Sequence, residues 1–305
     1  MKKVEVLMST YNGEKYVERQ IRSILDQTGV EVHLTIRDDG SKDGTIETIN
    51  NLNNQNPGKI TLYVGANVGY RKSFLELLSL ANDADYYAYS DQDDIWETSK
   101  LSVAVNFLEI EENSVKLYTS NLILVDENLN IIGKTGFKKQ YSSLKSDFSR
   151  HRFAGCTYVF SRQLKDLANI INTVTIPISE YPDHDFFLSA CAYSCGVVIL
   201  DEDSYIKHVR LSSSVTSGGN GYIKRFKVEY NAVFHKKNKK HFVAHFLLEH
   251  YNAYMNEEAK EFLEKVKTYK DSLRNKISLI NDSGFTSGIK VCDLERDVKI
   301  ILSNY

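Results

Sequence analysis

Tyr86-Tyr-Ala-Tyr-Ser-Asp-Gln-Asp-Asp-Ile-Trp96 is the stretch that decides the fold. Residues 86–90 are aromatic and strand-favouring, and they run straight into three acids within four positions. The pattern predicts a buried strand with Asp91, Asp93 and Asp94 at its carboxyl end. In open α/β sheets ligands sit at that edge. Alternate residues of an extended segment face opposite ways, so Asp91 and Asp93 are expected on one side and Asp94 on the other. Two carboxylates on one face repel unless a cation lies between them. Mg²⁺ or Mn²⁺, hard ions that take oxygen ligands, would relieve that repulsion and still hold a diphosphate. The plain alternative is that Ser90, Asp91 and Asp94 cap the next helix in water.

Upstream, Val4–Met8 forms a short apolar strand pattern that enters the polar turn Ser9–Glu14. Val17, Ile21, Ile24 and Leu25 then mark one face of a helix over Glu14–Gln27. Val32, Leu34 and Ile36 alternate as a second strand, which ends in the turn-rich loop Asp38–Thr45. A helix through Ile46, Ile49 and Leu52 follows, then a third strand, Ile60–Val64, the loop Gly65–Gly69 and a helix over Ser73–Leu80. The strand at 86–90 and a helix over Leu101–Leu108 close the series. Four strand–helix alternations predict right-handed crossovers and a mostly parallel α/β sheet with helices on both faces. Every polar cluster follows a strand, so four loops are expected to build one site.

Further on, Val115–Ser120, Ile123–Val125, Phe153–Phe160, Val197–Leu200 and Tyr205–His208 read as strands or strand ends. Asp183-His-Asp185 precedes a helical run through Cys195, and Ser212–Gly221 reads as a loose loop. From Tyr222 the texture becomes helical and lysine-rich. Phe226, Tyr230, Phe234, Phe242 and Phe246 alternate with Lys236, Lys237, Lys239 and Lys240. Segment 222–246 suits a membrane-surface or partner-binding helix pair, or equally a solvated face over an ordinary core stripe. The expected division is 1–220, with halves 1–110 and 111–220, and a helical extension over 221–305.

Composition narrows the function classes. A formal net charge of −2 gives no global pull towards nucleic acid. Cys156, Cys191, Cys195 and Cys292 have no metal-finger spacing and read as reduced, buried thiols. The first residues lack an apolar core like that of a leader, and no uncharged apolar run approaches the roughly 18 residues of a membrane span. A cytoplasmic, disulfide-free protein is the expectation.

Ser9-Thr-Tyr-Asn-Gly-Glu14, Gln27-Thr28, Asp38-Asp-Gly-Ser-Lys-Asp-Gly-Thr45, Asn67-Val-Gly69 and Ser90–Trp96 occur in this order and spacing. Together they resemble the family 2 glycosyltransferases of GT-A fold, most nearly the rhamnosyltransferase-like branch that builds bacterial surface polysaccharides from dTDP-rhamnose. The resemblance is strong over 1–110 and thins towards 215. It implies that Thr10, Tyr11, Asn12, Glu14, Asp39, Asn67, Arg71, Lys72 and Asp91 bind the nucleotide of a dTDP- or UDP-sugar. An Asp that accepts the imide N–H of uracil or thymine would favour those bases. Asp38 and Asp39 could also serve only as an Asx-turn.

The resemblance further implies Asp93 as a direct ligand of Mg²⁺ or Mn²⁺, with Asp91 and His208 completing the metal site. Asp185, in Tyr181-Pro-Asp-His-Asp185, is implied as the general base of an inverting transfer. Asp183 lies in the same stretch, and either acid could be a helix N-cap. Trp96, Gly155, Cys156, Thr157 and His184 fall on the acceptor side, the acceptor being a glycan or lipid-linked glycan at the inner face of the membrane. Peripheral membrane contact through 222–246 and a homo-oligomer through the C-terminal helices are the partner expectations. Lys207-His-Val-Arg210 departs from the branch's Arg-Gln-His-Gly. A nucleotidyltransferase and a catalytically inactive nucleotide-sugar-binding module are the competing classes.

Overall fold

In the parallel half of the sheet, alternating apolar residues have become strands covered on both faces, as parallel sheets require. The computed structural model describes residues 1–136, 139–210 and 239–305. The strands of this half are β1 (Lys3–Thr10), β2 (Glu31–Asp38), β3 (Ile60–Val64) and β4 (Tyr86–Ser90). Every residue of β4 is buried. The helices between them, α1 (Val17–Leu25), α2 (Thr45–Gln55) and α3 (Tyr70–Leu80), turn apolar stripes inward. Val17, Ile21 and Ile24 of α1 and Leu52 of α2 join a core with Val6, Leu34 and Ile36.

β1 pairs in parallel with β2 and β4, and β2 with β3. In that register Thr10 lies opposite Asp38, Asp38 opposite Val64, and Met8 opposite Ser90. The loops after all four strands therefore leave the sheet at one edge, as their sequence positions predict.

The remaining strands are β5 (Ile95–Trp96), β6 (Lys116–Val125), β7 (Ile131–Lys134), β8 (Val159–Ser161) and β9 (Val197–Val209). Among the described residues they complete a nine-stranded sheet in the order β3-β2-β1-β4-β8-β6-β9-β5, with β7 on β6. β8 runs antiparallel to β4 and β6. α4 (Lys100–Ile110) packs Leu101, Ala104, Val105 and Leu108 on the sheet.

Three strand expectations are corrected. Lys116–Val125 is one bulged strand where two were expected, because the partner β9 is itself continuous and register shifts absorb the polar break at Asn121. For the same reason 197–209 is one strand. Phe153–Phe160 is mostly not a strand. Gly155–Thr157 forms a 3-10 turn, in which Thr157 N–H and Oγ1 both donate to Ala154 O (3.0 and 2.7 Å).

The chain falls into two compact units: Met1–Phe137, Phe153–Ala192 and Gly196–Val209 form the first, and Lys138–Arg152, Tyr193–Cys195 and Arg210–Tyr305 the second. The second contains α5 (Leu144–Ser149), α8 (Lys240–His250), α9 (Glu257–Thr268), α10 (Leu273–Ile280) and α11 (Lys290–Ile301). α6 (Arg162–Asn169) and most of α7 (His184–Cys195) belong to the first. Side-chain caps start α5, α9 and α10 at Ser143, Asn256 and Ser272. The 212–221 loop and most of the 222–246 segment lie outside the described residues. At the end of that segment Lys240 turns inward, donating to the carbonyls of Phe148 and Ser149, so it is not a surface cation. Among the described residues no helix is long and apolar enough to cross a membrane.

Candidate active site

At the carboxyl edge of the parallel strands, α1 holds the acid loop in place. The Gln20 side-chain amide hydrogen-bonds Ser90 Oγ (2.8 Å), Arg19 Nη2 donates to Asp93 O (3.3 Å), and Trp96 N–H donates to Ser23 Oγ (3.1 Å). Regular strand geometry stops at Ser90 and the chain bends at Gln92 and Asp93. The alternation expected of an extended segment therefore fails. Asp94 turns inward instead of away from Asp91 and is fully buried. One ligand atom each from Asp91, Asp94, Cys156 and His208 lies within 4.8 Å of the others. Asp93 is not in that group, although Asp94 and His208 act on it electrostatically.

His208 Nδ1 hydrogen-bonds Asp94 Oδ1 at 2.8 Å. Burial works against charge on the ring. The bond and charge of Asp94, joined by the charges of Asp91 and Asp93, outweigh it, and the imidazole is pushed up to about 9. Burial, then the charges of Asp94 and Asp93, pushes the Asp91 carboxyl up to about 8. Burial and Asp94 push Asp93 up to about 6. Carboxylates crowded this closely at neutral pH share protons or share a cation. Asp94 Oδ2 is buried with no hydrogen-bond partner, and the donors around it are acids and an imidazole, so the residues fit a divalent ion. A carboxylate bonded to an imidazole is also how proteins orient metal-binding histidines.

Asp185 opens α7, half-buried, and accepts from Phe186 N–H at 2.8 Å. Its charge adds a small upward push to the Asp91 carboxyl, and the start of α7 packs closely on the 155–157 turn. Gly155 is what permits the approach. A Cβ there would stand 2.7 Å from His184 Nε2 and 3.3 Å from Asp185 Cβ. His184 is stacked on Phe74 (centroids 4.0 Å apart) and set edge-on to Tyr89 (5.3 Å). Asp183 is engaged elsewhere, accepting from Arg71 Nε (2.5 Å) and Tyr70 OH (3.1 Å).

The first three loops are tied together around two buried acids. Asp38 accepts from Thr10 Oγ1 (2.8 Å), Gly40 N–H and Ser41 N–H and Oγ, the Asx-turn reading of that residue. Asp39 accepts from Arg37 Nη1 (2.7 Å), Val68 N–H (2.8 Å) and Gly69 N–H (2.9 Å). Tyr11 and Asn67 are exposed. Asn12 and Glu14 bond the backbone of Lys42 and Gly44. Gln92 clamps Tyr11 by accepting from its N–H and donating to its C=O (2.9 and 3.2 Å). Lys72 faces Glu76 at 3.4 Å.

A model of glycosyl transferase family 2 matches residues 5–165, more than half of the chain. The chain belongs to glycosyl transferase family 2. It is 30% identical over 192 residues to the dTDP-rhamnosyl transferase RfbG of Shigella flexneri, covering 61% of this chain and 64% of that protein. It is 25% identical over 203 residues to the UDP-Glc:alpha-D-GlcNAc-diphosphoundecaprenol beta-1,3-glucosyltransferase WfgD of Escherichia coli, covering 64% and 74%. The chain thus spans slightly less than two thirds of the length of the Shigella relative. The S. aureus TarS 1-349 structure in complex with UDP-GlcNAc superposes with a TM-score of 0.55 at 15% identity, over 99% of this chain and 91% of that one. At such identity the likeness speaks to fold alone, and the fold is GT-A with added C-terminal helices.

Within this family 2 frame, Trp96 needs correction as an acceptor surface. It is 3% exposed, because pairing of β5 with Ile206 and Lys207 of β9 turns the ring into the core. Gly155, Cys156 and Thr157 are also buried and back the site from beneath. Four residues of consequence escaped the sequence reading. Arg37 and Gln92 carried no motif signal, whereas Asp94 was set aside on the assumption of extended backbone. The fourth, Lys100, is buried with its ammonium 3.6 Å from the Trp96 ring centroid and no hydrogen-bond acceptor. The concavity lined by Lys2, Asp85 and Glu112 lies at the opposite, amino edge of the strands.

Proposed function

We propose that this family 2 glycosyltransferase moves L-rhamnose from dTDP-rhamnose, by metal-dependent inversion, onto a glycan or lipid-linked glycan in bacterial cell-surface polysaccharide synthesis. The observation that carries the reading is the position of Asp185, at the start of α7, against Gly155, the neighbour of Cys156 in the acid and imidazole cluster. Thr10, Tyr11, Asn12, Glu14, Asp39 and Asn67 would hold the nucleotide, with Arg71 and Lys72 near its phosphates. Asp185, half-buried at the start of α7, would take the proton of an acceptor hydroxyl. In an inverting transfer that proton leaves on the face opposite the departing diphosphate, the geometry that inverting glycosidases use for water.

Asp91, Asp93 and His208, with Asp94 holding the imidazole, would bind Mg²⁺ or Mn²⁺. When bound, such an ion supplies Lewis-acid stabilisation of the departing nucleoside diphosphate. The name of the 30% identical Shigella relative supports rhamnose, and that of the E. coli relative supports a lipid diphosphate acceptor. Cytoplasmic placement at the inner membrane face, with contact through 222–246, follows from such an acceptor. Self-association through α10 and α11 fits the exposure of Leu273, Ile277, Val291 and Leu294.

The test is a donor panel of dTDP-rhamnose, UDP-glucose and UDP-GlcNAc with Mg²⁺ or Mn²⁺, reading released nucleoside diphosphate. Turnover of dTDP-rhamnose is expected. Selective turnover of a UDP-sugar would replace the donor, and release of pyrophosphate would indicate nucleotidyl transfer. Asp185→Asn should cost about 10²–10⁴-fold in turnover, the usual worth of a general base, with nucleotide binding retained. Unchanged turnover in that variant would remove Asp185 from its role.

A further inference from the structure

The donor cluster holds one atom that sugar transfer does not use. Cys156 Sγ lies among the carboxylates of Asp91 and Asp94 and the imidazole of His208. Mg²⁺ prefers oxygen donors in near-ideal octahedral array and keeps several of its waters, an arrangement in which a thiol is a poor partner. Zn²⁺ takes four ligands from Cys, His and carboxylate, and thiolate is the donor that selects it.

We propose that Asp91, Asp94, Cys156 and His208 form a site for a thiophilic divalent cation of the Zn²⁺ class, with Cys156 Sγ as a direct ligand.

The spacing is close to what such an ion needs. Bonds of 2.0–2.3 Å put the corners of a tetrahedron about 3.3–3.8 Å apart. The four donor atoms lie within 4.8 Å of one another, so side-chain rotations of about 1 Å would close the shell. The fully buried Asp94 carboxylate bonds His208 Nδ1 through Oδ1 and acts on the Cys156 thiol by hydrogen bond and charge, so imidazole and thiol already converge on it. Cys156 is fixed by the Gly155–Thr157 turn, where Thr157 Oγ1 also shares a 2.7 Å hydrogen bond with Thr119 Oγ1. Without an ion, burial and the charges of Asp94 and Asp91 hold the thiol well above its usual range, so it stays protonated. On binding, the S–H bond breaks as the S–metal bond forms, and the proton passes to water.

Charge closes as well. Two carboxylates and a thiolate around a dication leave one net negative charge. The buried Lys100 amine, on which the charges of Cys156 and Asp94 act, is the nearby group that takes up a proton to match it.

The binding claim stands without the transferase reading. The corollary, that Zn²⁺ inhibits turnover by taking Asp91 and His208, rests on that reading. Co²⁺ serves as the optical probe on the full chain. Wild type should show near-ultraviolet thiolate-to-cobalt charge transfer and the strong visible bands of four-coordinate cobalt. Zn²⁺ should bleach both, and a large excess of Mg²⁺ should not. C156A should lose the near-ultraviolet band and bind Zn²⁺ about tenfold or more weakly, the scale on which disrupted metal sites lose affinity. C191A/C195A/C292A, which leaves Cys156 as the sole thiol, should keep the band, and this decides the matter if C156A does not fold. No band in wild type, a band that survives in C156A, or equal bleaching by Mg²⁺ would overturn the site. If Zn²⁺ binds but leaves turnover untouched, the corollary alone is lost.

Discussion

At the scale of single residues, two side chains set what the site can do: one by its absence and one by its burial. Gly155 has no Cβ where a Cβ would stand 2.7 Å from His184 Nε2 and 3.3 Å from Asp185 Cβ. Gly155→Ala should fold, since the turn itself needs no left-handed backbone, but it must push the start of α7 away from the acid loop. A misplacement of about 1 Å costs on the order of 10² in rate, so kcat should fall by that factor with nucleotide affinity kept. Full activity in the variant would mean that Asp185 does not depend on this approach. Lys100 is the opposite case, an amine held in the core over Trp96. Burial depresses it to about 7, from an ordinary value of 10.5. Between those two values the unfolded chain binds a proton that the folded chain does not. Stability should therefore rise with pH across that window, by up to about 1.4 kcal/mol per pH unit, and lose the increment as pH falls towards 7. Lys100→Met should flatten this slope and raise stability at neutral pH in urea titrations. An unchanged slope would show that the amine stays charged when folded.

At the scale of elements, the four loops act together because acids at strand ends bond to neighbouring loops. Asp39 reaches across to Val68 and Gly69, and the latter adopts φ +82°, so the 65–69 loop is held by one carboxylate. Asp39→Asn keeps the shape but removes the charge opposite Arg37 and turns one acceptor into a donor. The variant should weaken dTDP or UDP binding at least tenfold and increase hydrogen exchange at Val68 and Gly69. Tight nucleotide binding with a loosened loop would confine Asp39 to structure. The parallel half was legible in the sequence because period-two apolar runs, polar strand ends and helical stripes all gave the same answer over residues 4–110. The half after it was not. β8 has only three residues, and 153–158 is apolar without being extended, since its burial comes from packing under α7 and not from a ladder. Asp185, Asp91 and His208 were proposed from motif order, a signal that does not depend on side-chain direction. Asp94 was lost because side-chain direction depends on where a strand stops, and the bend at Gln92 and Asp93 reverses it.

At the scale of the whole molecule, the chain carries two cores of different make. The first rests on a sheet and the second on aromatic rings at helix ends. In the second, Phe148, Phe262 and Phe285 pack in series at centroid distances of 5.5 and 5.3 Å, and Phe285 meets Tyr305 edge-on at 5.8 Å. Tyr305 is 2% exposed, donates its hydroxyl to Phe148 O, and accepts from Tyr269 OH at 2.9 Å on its own carbonyl. It also lies under the ammonium of Lys240, 5.2 Å from the ring centroid. Tyr305→Ala would remove a buried aromatic and leave Phe148 O and the Lys240 ammonium without that ring. Large-to-small changes of this kind cost about 3–5 kcal/mol. Because the loss falls within one compact unit, hydrogen exchange should rise across α8, α9 and α11 while β1, β2 and β4 keep their protection. Nucleotide binding, which rests on loops of the first unit, should then persist at temperatures where α8–α11 have lost their protection. Equal loss of protection in both units would mean that the chain unfolds as one cooperative body, and nucleotide affinity would fall with it.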